Sequence, residues 1–256
     1  MGGYLRVLAR SAAAAAAVWT AYRADFLAAL LGALVETAGR VAALFALVRA
    51  GVLDLAPDEG LVYLGVASIA IGFFRCVVGP NLVAFSERVW EGSLEFVLLR
   101  PKHPVFLLLV QTASPWGLPD LLAGAALLGL GHRALGAQAA VLGSLAIGPA
   151  LLVAYLFAFL LALVGFFSVH VHNLVHLVTG LFAAGQYPVR AYALPVRVFL
   201  TFVVPVYGAV NLPAELALGR VGPVGLLGLW AGVAVFWLLT DRLFRLAVRA
   251  YASASG

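Results

Sequence analysis

Three histidines, His170, His172 and His176, crowd one short stretch of the chain. His172 and His176 are spaced i, i+4, which puts two imidazoles on one helix face where a zinc ion would want them. No third ligand lies nearby in the sequence, and interfacial histidines satisfied by Ser168, Asn173 or water account for the group better than a metal site, so no metal is expected. Ser168 and His170 in "GFFSVH" are also the side-chain types of a nucleophilic hydrolase, which leaves open a membrane enzyme acting on lipid or peptide near His170–His176. They stand two residues apart on one segment, however, with no evident oxyanion arrangement. A phosphate-cradling loop requires a glycine-rich turn followed by lysine and then serine or threonine. The single lysine, Lys102, lies in "RPKHP", so this chain is expected to bind no nucleotide and no other cofactor of its own.

A second group of ionisable side chains is costly by position. Glu36, Arg40, Arg75 and Asp120 fall inside long apolar runs, where charge marks a function or a partner. Glu36 and Arg40 are one turn apart in the order that favours pairing. With a rise of about 1.5 Å per residue, Glu36 lies about 16 Å and Arg75 about 12 Å from the cytoplasmic ends of their runs, so those two can also meet. The four are candidates for lining a pathway or an interface, and equally for gluing helices by mutual pairing.

The elements that must position these groups are membrane spans. The 256-residue chain is 64% hydrophobic and 11% charged, with mean hydropathy +1.07, far from the balance of a soluble domain. Its apolar runs reach the roughly 20 residues that a bilayer-crossing helix needs, and no strand alternation competes, so the fold is all-α and polytopic. The expected spans are Phe26–Val48, Leu61–Val83, Val105–Leu130, Ala137–Phe166, Val169–Ala184 (short for a crossing) and Val224–Leu239, in a single domain over residues 1–256. Residues 1–24 set Tyr4, Val7, Leu8, Val18, Trp19 and Tyr22 opposite Arg6 and Arg10, the pattern of a helix lying in the interface. The segment 186–220 carries Pro188, Pro195, Pro205 and Pro213 in an apolar setting, which excludes one straight helix and suggests a pair of half-membrane helices.

The net charge of +5 comes from 15 arginines and one lysine spread between spans, a topology signal rather than a nucleic-acid surface. With the N-terminus inside, the inner segments hold nine of these cations and the outer ones five. Both termini and the Ser86–Pro104 loop are therefore expected in the cytoplasm of a cell-membrane protein. The lone Cys76 excludes an intramolecular disulfide.

That loop is polar beyond what topology requires. Drawn as one helix from Phe85 to Val97, it places Glu87, Glu91 and Glu95 in a stripe beside Arg88, with Phe85, Val89, Trp90, Phe96 and Val97 elsewhere on its surface. An acidic stripe gains nothing from an anionic leaflet, so a protein partner explains it better than lipid.

"VWEGSLEFVLLRPKHPVFLLL" resembles the cytoplasmic segment of ABC-2 type transporter permeases, in the branch with an I-R-x-G-x-L-D-x-x-L-L-R-P signature. Gly92, Leu94, Leu98, Leu99, Arg100 and Pro101 match it, and Glu95 replaces the usual aspartate. "YRADFLAALLGAL", "QYPVRAYALPVRVFLTFVVPVYGAVNLPAEL" and "FRLAVRAYASASG" agree in the same order along the chain. The resemblance implies a six-span, non-catalytic exporter permease paired with a second copy or a paralogue, bound to two ABC ATPase subunits that hold ATP and Mg. It implies a coupling segment at 84–101, with Glu87, Arg88, Glu91, Gly92, Leu94, Glu95, Arg100 and Pro101 as its contact residues. It further implies an extracellular re-entrant pair in which Pro188, Phe199, Phe202, Pro205 and Tyr207 are candidate gate residues. Membrane lipids are the remaining expected partners; nucleic acid is not.

Overall fold

The computed structural model describes residues 23–99, 101, 103–131, 136–164 and 171–254, without the side chains of residues 23–24, 171–174 and 250–254. The interfacial helix expected over residues 1–24 lies outside them, apart from Arg23 and Ala24, which open α1. Arg100, Lys102, Ser168 and His170 are outside as well.

The described chain is helical, with no strand among the described residues. Helix α1 is Arg23–Arg49, and α2 is a single 34-residue rod, Pro57–Trp90, with one wide π turn at Phe74–Val78. Pro57 stands at the first turn of α2, and Glu59 turns back to accept the Ala56 N–H at 3.1 Å, so the rod has a defined start. Short α3 (Glu95–Leu98) and α4 (Pro104–Leu109) follow, then a 3-10 turn at Pro115–Gly117 leading into α5 (Leu118–Leu130). Next come α6 (Ala137–Val164) and α7 (Val171–Ala183). The bent pair α8 (Leu194–Val203) and α9 (Tyr207–Ala217) meets at 80°. The final α10 is Val224–Ala254.

Four of these helices are long and apolar enough to cross a membrane, and the bent pair would make a fifth. Two expected spans differ. The third is not one helix over Val105–Leu130 but stops at Leu109 and resumes at Pro115. The second does not end at Val83 but continues through Phe85 to Trp90, which puts Arg75 about 22 Å from that end rather than 12 Å.

The break in the third span is stabilised by α2 and α6. Pro80 has no N–H to offer the carbonyl one turn earlier, at Cys76, and that carbonyl accepts the Ser114 N–H at 2.8 Å. Asn81, 1% exposed, holds Thr112 from both sides: its Oδ1 accepts the Thr112 N–H at 3.0 Å and its Nδ2 donates to the Thr112 carbonyl at 2.8 Å. The same Nδ2 also reaches the Val77 carbonyl at 2.7 Å. Tyr155 of α6 donates to the Leu109 carbonyl at 2.7 Å, and Arg88 Nε donates to Gln111 Oε1 at 2.7 Å. Irregular backbone is tolerated at membrane depth only when protein satisfies it in this way.

Helix α5 then runs back along α2 with almost no space between the backbones. A methyl at Gly117 would sit 2.1 Å from the Gly72 carbonyl, and one at Gly124 would sit 2.7 Å from that of Gly65. Two glycine pairs seven residues apart form the seam, as expected where transmembrane helices pack through small residues. Helices α2 and α6 are largely buried, whereas α1 and α10 leave most of their surface uncovered.

Asn81→Leu keeps the side chain's bulk but strands the Thr112 backbone groups. We expect it to lower stability by about 3 kcal/mol, read as earlier unfolding in a denaturant titration of the detergent-solubilised protein. Unchanged unfolding would contradict the role assigned to Asn81.

Candidate functional site

The structure brings Glu36, Arg40, Arg75 and Asp120 together from three helices. Arg75 Nη1 meets Asp120 Oδ2 at 2.7 Å, while its Nη2 meets Glu36 Oε2 at 3.5 Å. Arg40 Nη2 lies 3.7 Å from Asp120 Oδ1, 4.0 Å from Glu36 Oε1 and 3.2 Å from Thr37 Oγ1, to which it donates. Asp120 is in the first turn of α5, where the helix dipole favours a carboxylate. The cluster is formally neutral but unevenly covered. The side chains of Asp120 and Arg40 are 0% and 11% exposed, whereas those of Arg75 and Glu36 are 41% and 46% exposed. Arg40 Nε and Nη1 are buried without a hydrogen-bond partner among the described residues.

At one end of α2 the chain turns sharply. Gly92 has φ 70°, a left-handed value that a side chain would strain, and the turn closes with Ser93 N–H bonded to the Arg88 carbonyl and Gly92 N–H to that of Val89. The single helix expected from Phe85 to Val97 is therefore two pieces, because Gly92 takes the helix-ending position of this motif. Glu87, Glu91 and Glu95 all remain exposed. Beside them Trp90 and Phe96 are 83% and 66% exposed, while Phe85, Leu94 and Val97 plug the turn into the core. Arg88 does not join the acidic stripe, since it turns inward to Gln111. Pro101 is exposed.

The model of the ABC-2 family transporter proteins matches residues 52–255, four-fifths of the chain. The chain belongs to that family. No curated protein and no solved structure matches it. The matched region of this ABC-2 family member contains Arg75, Asp120 and the Gly92 turn, and begins just after α1, so Glu36 and Arg40 precede it. Membership makes the chain a multi-pass transport subunit of the membrane, of a kind that works with ABC ATPase subunits.

At the opposite end of α2, this ABC-2 chain ties the proline-rich segment down through polar groups of which the sequence singled out only Tyr207 as a site candidate. Arg220 Nη2 pairs with Glu59 Oε1 at 2.8 Å, and its Nη1 donates to the buried Tyr63 hydroxyl at 3.4 Å. Tyr63 and Tyr207 donate to the two oxygens of Glu215, at 3.4 and 2.8 Å. Burial works against the Arg220 charge, but the hydrogen bond to Tyr63 and the attraction of Glu59 outweigh it, so its pKa stands above the ordinary value. Asn211, fully buried, accepts the Val189 N–H at 2.6 Å and donates to the Gly185 carbonyl at 2.9 Å. An asparagine inside an apolar run was the available signal for both Asn81 and Asn211.

The expected gate residues are dispersed. Phe199 and Phe202 are exposed on α8, Pro205 marks the 80° bend, Pro188 is buried, and Tyr207 faces inward to Glu215. Of these only Pro188 borders a cavity of about 530 Å³, which Asp54, Glu59, Arg190 and Arg220 also line. His176 is exposed, the His172 side chain is not described, and among the described residues no three potential ligands gather as a metal site would require.

Arg75→Gln leaves buried Asp120 with only the longer contact to Arg40. We expect a loss of about 3 kcal/mol in the detergent-solubilised protein, and the double variant Arg75→Gln/Asp120→Asn to recover most of it, since it removes the stranded charge. A double variant no more stable than the single one would refute that pairing.

Proposed function

We propose that this chain is the permease subunit of an ATP-driven exporter, and that the face of α1, α2 and α5 carrying the charge cluster borders its pathway. The observation that carries this reading is the half-open Glu36–Arg75 pair. Both residues lie near the middle of their helices, where bare hydrocarbon would cost several kcal/mol per charge, so water or another protein chain must meet them. A second permease copy or a paralogue, set against the thinly covered α1, supplies that neighbour and encloses a polar path between the two.

The rest of the reading follows the family. Six spans arise if the broken α4–α5 unit counts as the third crossing and α7 as the fifth. The Glu87–Arg100 segment couples to two ATPase subunits, which hold ATP and Mg. Its exposed Trp90 and Phe96, together with exposed Glu87, Glu91 and Glu95, suit a protein surface that offers an apolar pocket and basic groups. The bent α8–α9 pair is the re-entrant element at the outer end, latched by Glu59, Arg220 and Glu215. The termini and the coupling segment face the cytoplasm, in agreement with the distribution of arginine.

Mass spectrometry of the complex purified from its native host through a tag on this chain tests the assignment. A stoichiometric ATPase is expected, and its absence under conditions that preserve a control exporter would remove the reading. The charge reversals Glu91→Arg and Arg100→Glu are expected to abolish ATP-driven transport while leaving membrane insertion and detergent elution unchanged. Full transport by both would sink the coupling assignment.

A further inference from the structure

A cavity of about 460 Å³ opens between Leu98, His103 and Pro104 on one side and the last described turns of α10 on the other. Its floor is hydrocarbon, from Leu98, Phe244 and Val248, and its rim carries Asp241, Arg245 and Arg249 beside His103. Asp241 is already engaged on both oxygens. Oδ1 lies 3.2 Å from His103 Nε2, and Oδ2 accepts from Arg245 one turn on. The His103 ring is in turn held against Trp237, with centroids 5.3 Å apart.

Arg249, one further turn along, has no partner among the described residues. Like charges one turn apart repel, and a single carboxylate offsets only one of the two arginines. The rim therefore keeps a surplus of positive charge directly above an apolar floor. This surplus sits where the apolar run of α10 gives way to Arg242, Arg245 and Arg249, the level at which a membrane-spanning helix leaves hydrocarbon for headgroups.

An anion attached to an alkyl chain satisfies both halves of such a site at once. A free inorganic anion would leave the floor unused, and a neutral lipid would leave Arg249 uncompensated. Basic pockets between spans at headgroup depth are a recognised setting for acidic lipids. We propose that this cleft binds an anionic phospholipid, with Arg249 and Arg245 on its phosphate and an acyl chain along Leu98, Phe244 and Val248. The lipid links α10 to the turn that carries Glu87–Leu98. The proposal requires only that α10 crosses the membrane, and uses neither transport nor an ATPase.

Native mass spectrometry of the full chain in mild detergent, titrated separately with dioleoyl-phosphatidylglycerol and dioleoyl-phosphatidylcholine, tests it. One phosphatidylglycerol per chain is expected to be retained at concentrations where phosphatidylcholine is not. Arg249→Gln is expected to weaken that retention about fivefold to tenfold with unchanged elution volume, and the charge-preserving Arg249→Lys to keep most of it. Equal retention of the two lipids would overturn the proposal, as would undiminished phosphatidylglycerol binding by Arg249→Gln. Displacement of phosphatidylglycerol by an equal concentration of inorganic phosphate would overturn the lipid in favour of a free-anion site.

Discussion

Backbone broken inside a membrane has to be hydrogen-bonded by protein, because hydrocarbon offers it nothing, and the architecture depends on how that requirement is met at Val110–Ser114. Asn81 supplies an acceptor and a donor to the same residue, Thr112, and Pro80 leaves the Cys76 carbonyl for Ser114. The two therefore act as one device: a proline that opens a helix bond and an asparagine that uses the opening to hold a neighbouring chain. Only with that chain held does α5 start at Leu118, bring its glycines against Gly72 and Gly65, and set Asp120 against Arg75.

The rod α2 is the common member of the latch, the charge cluster and the bonds that hold the broken span. Glu59 and Tyr63 latch the proline-rich segment at one end, Arg75 joins the charge cluster near its middle, and Asn81 and Arg88 hold the broken span. At its far end it delivers Glu87 and Glu91 to the Gly92 turn. One continuous helix, about 50 Å long by its 34 residues at 1.5 Å each, joins that turn to the latch. The single irregularity along the way is the π turn at Phe74–Val78, which contains Arg75. Wide turns of this kind often stand at functional positions in helices.

The two thinly covered helices serve different ends. Helix α1 brings Glu36 and Arg40 to a cluster whose other members lie on α2 and α5, so its few contacts with the core are electrostatic as well as apolar. Helix α10 packs along α6 and ends in arginines around an apolar cleft. One face thus meets charge at mid-membrane and the other meets charge at the boundary, which is why a protein or water suits the first and a lipid the second.

The sequence by itself determined the class of fold and the cost of its exceptions. Apolar length and the lack of strand alternation required helices in a membrane, and four charges in apolar runs could survive only by meeting one another or a partner, as Glu36, Arg40, Arg75 and Asp120 do. The loop motif was legible in the same way, because residue identities there match a family pattern irrespective of geometry. Where the helices end was not. Gln111, Thr112, Ser114, Pro115 and Pro119 do interrupt the apolar run of Val105–Leu130, but they do not show whether the interruption bends one helix or parts two, which is decided by Asn81, some thirty residues earlier, holding Thr112. Gly92 splits the expected Phe85–Val97 helix because a left-handed residue closes it, a choice between continuing and capping that amphipathic spacing does not make. The latch of Glu59, Tyr63, Tyr207, Glu215 and Arg220 joins residues more than 150 apart, and spacing within one segment carries no record of that encounter. Tertiary structure decided the break and the latch because each rests on a hydrogen-bond partner supplied by a different helix, whereas the Gly92 cap is closed locally by the Arg88 and Val89 carbonyls.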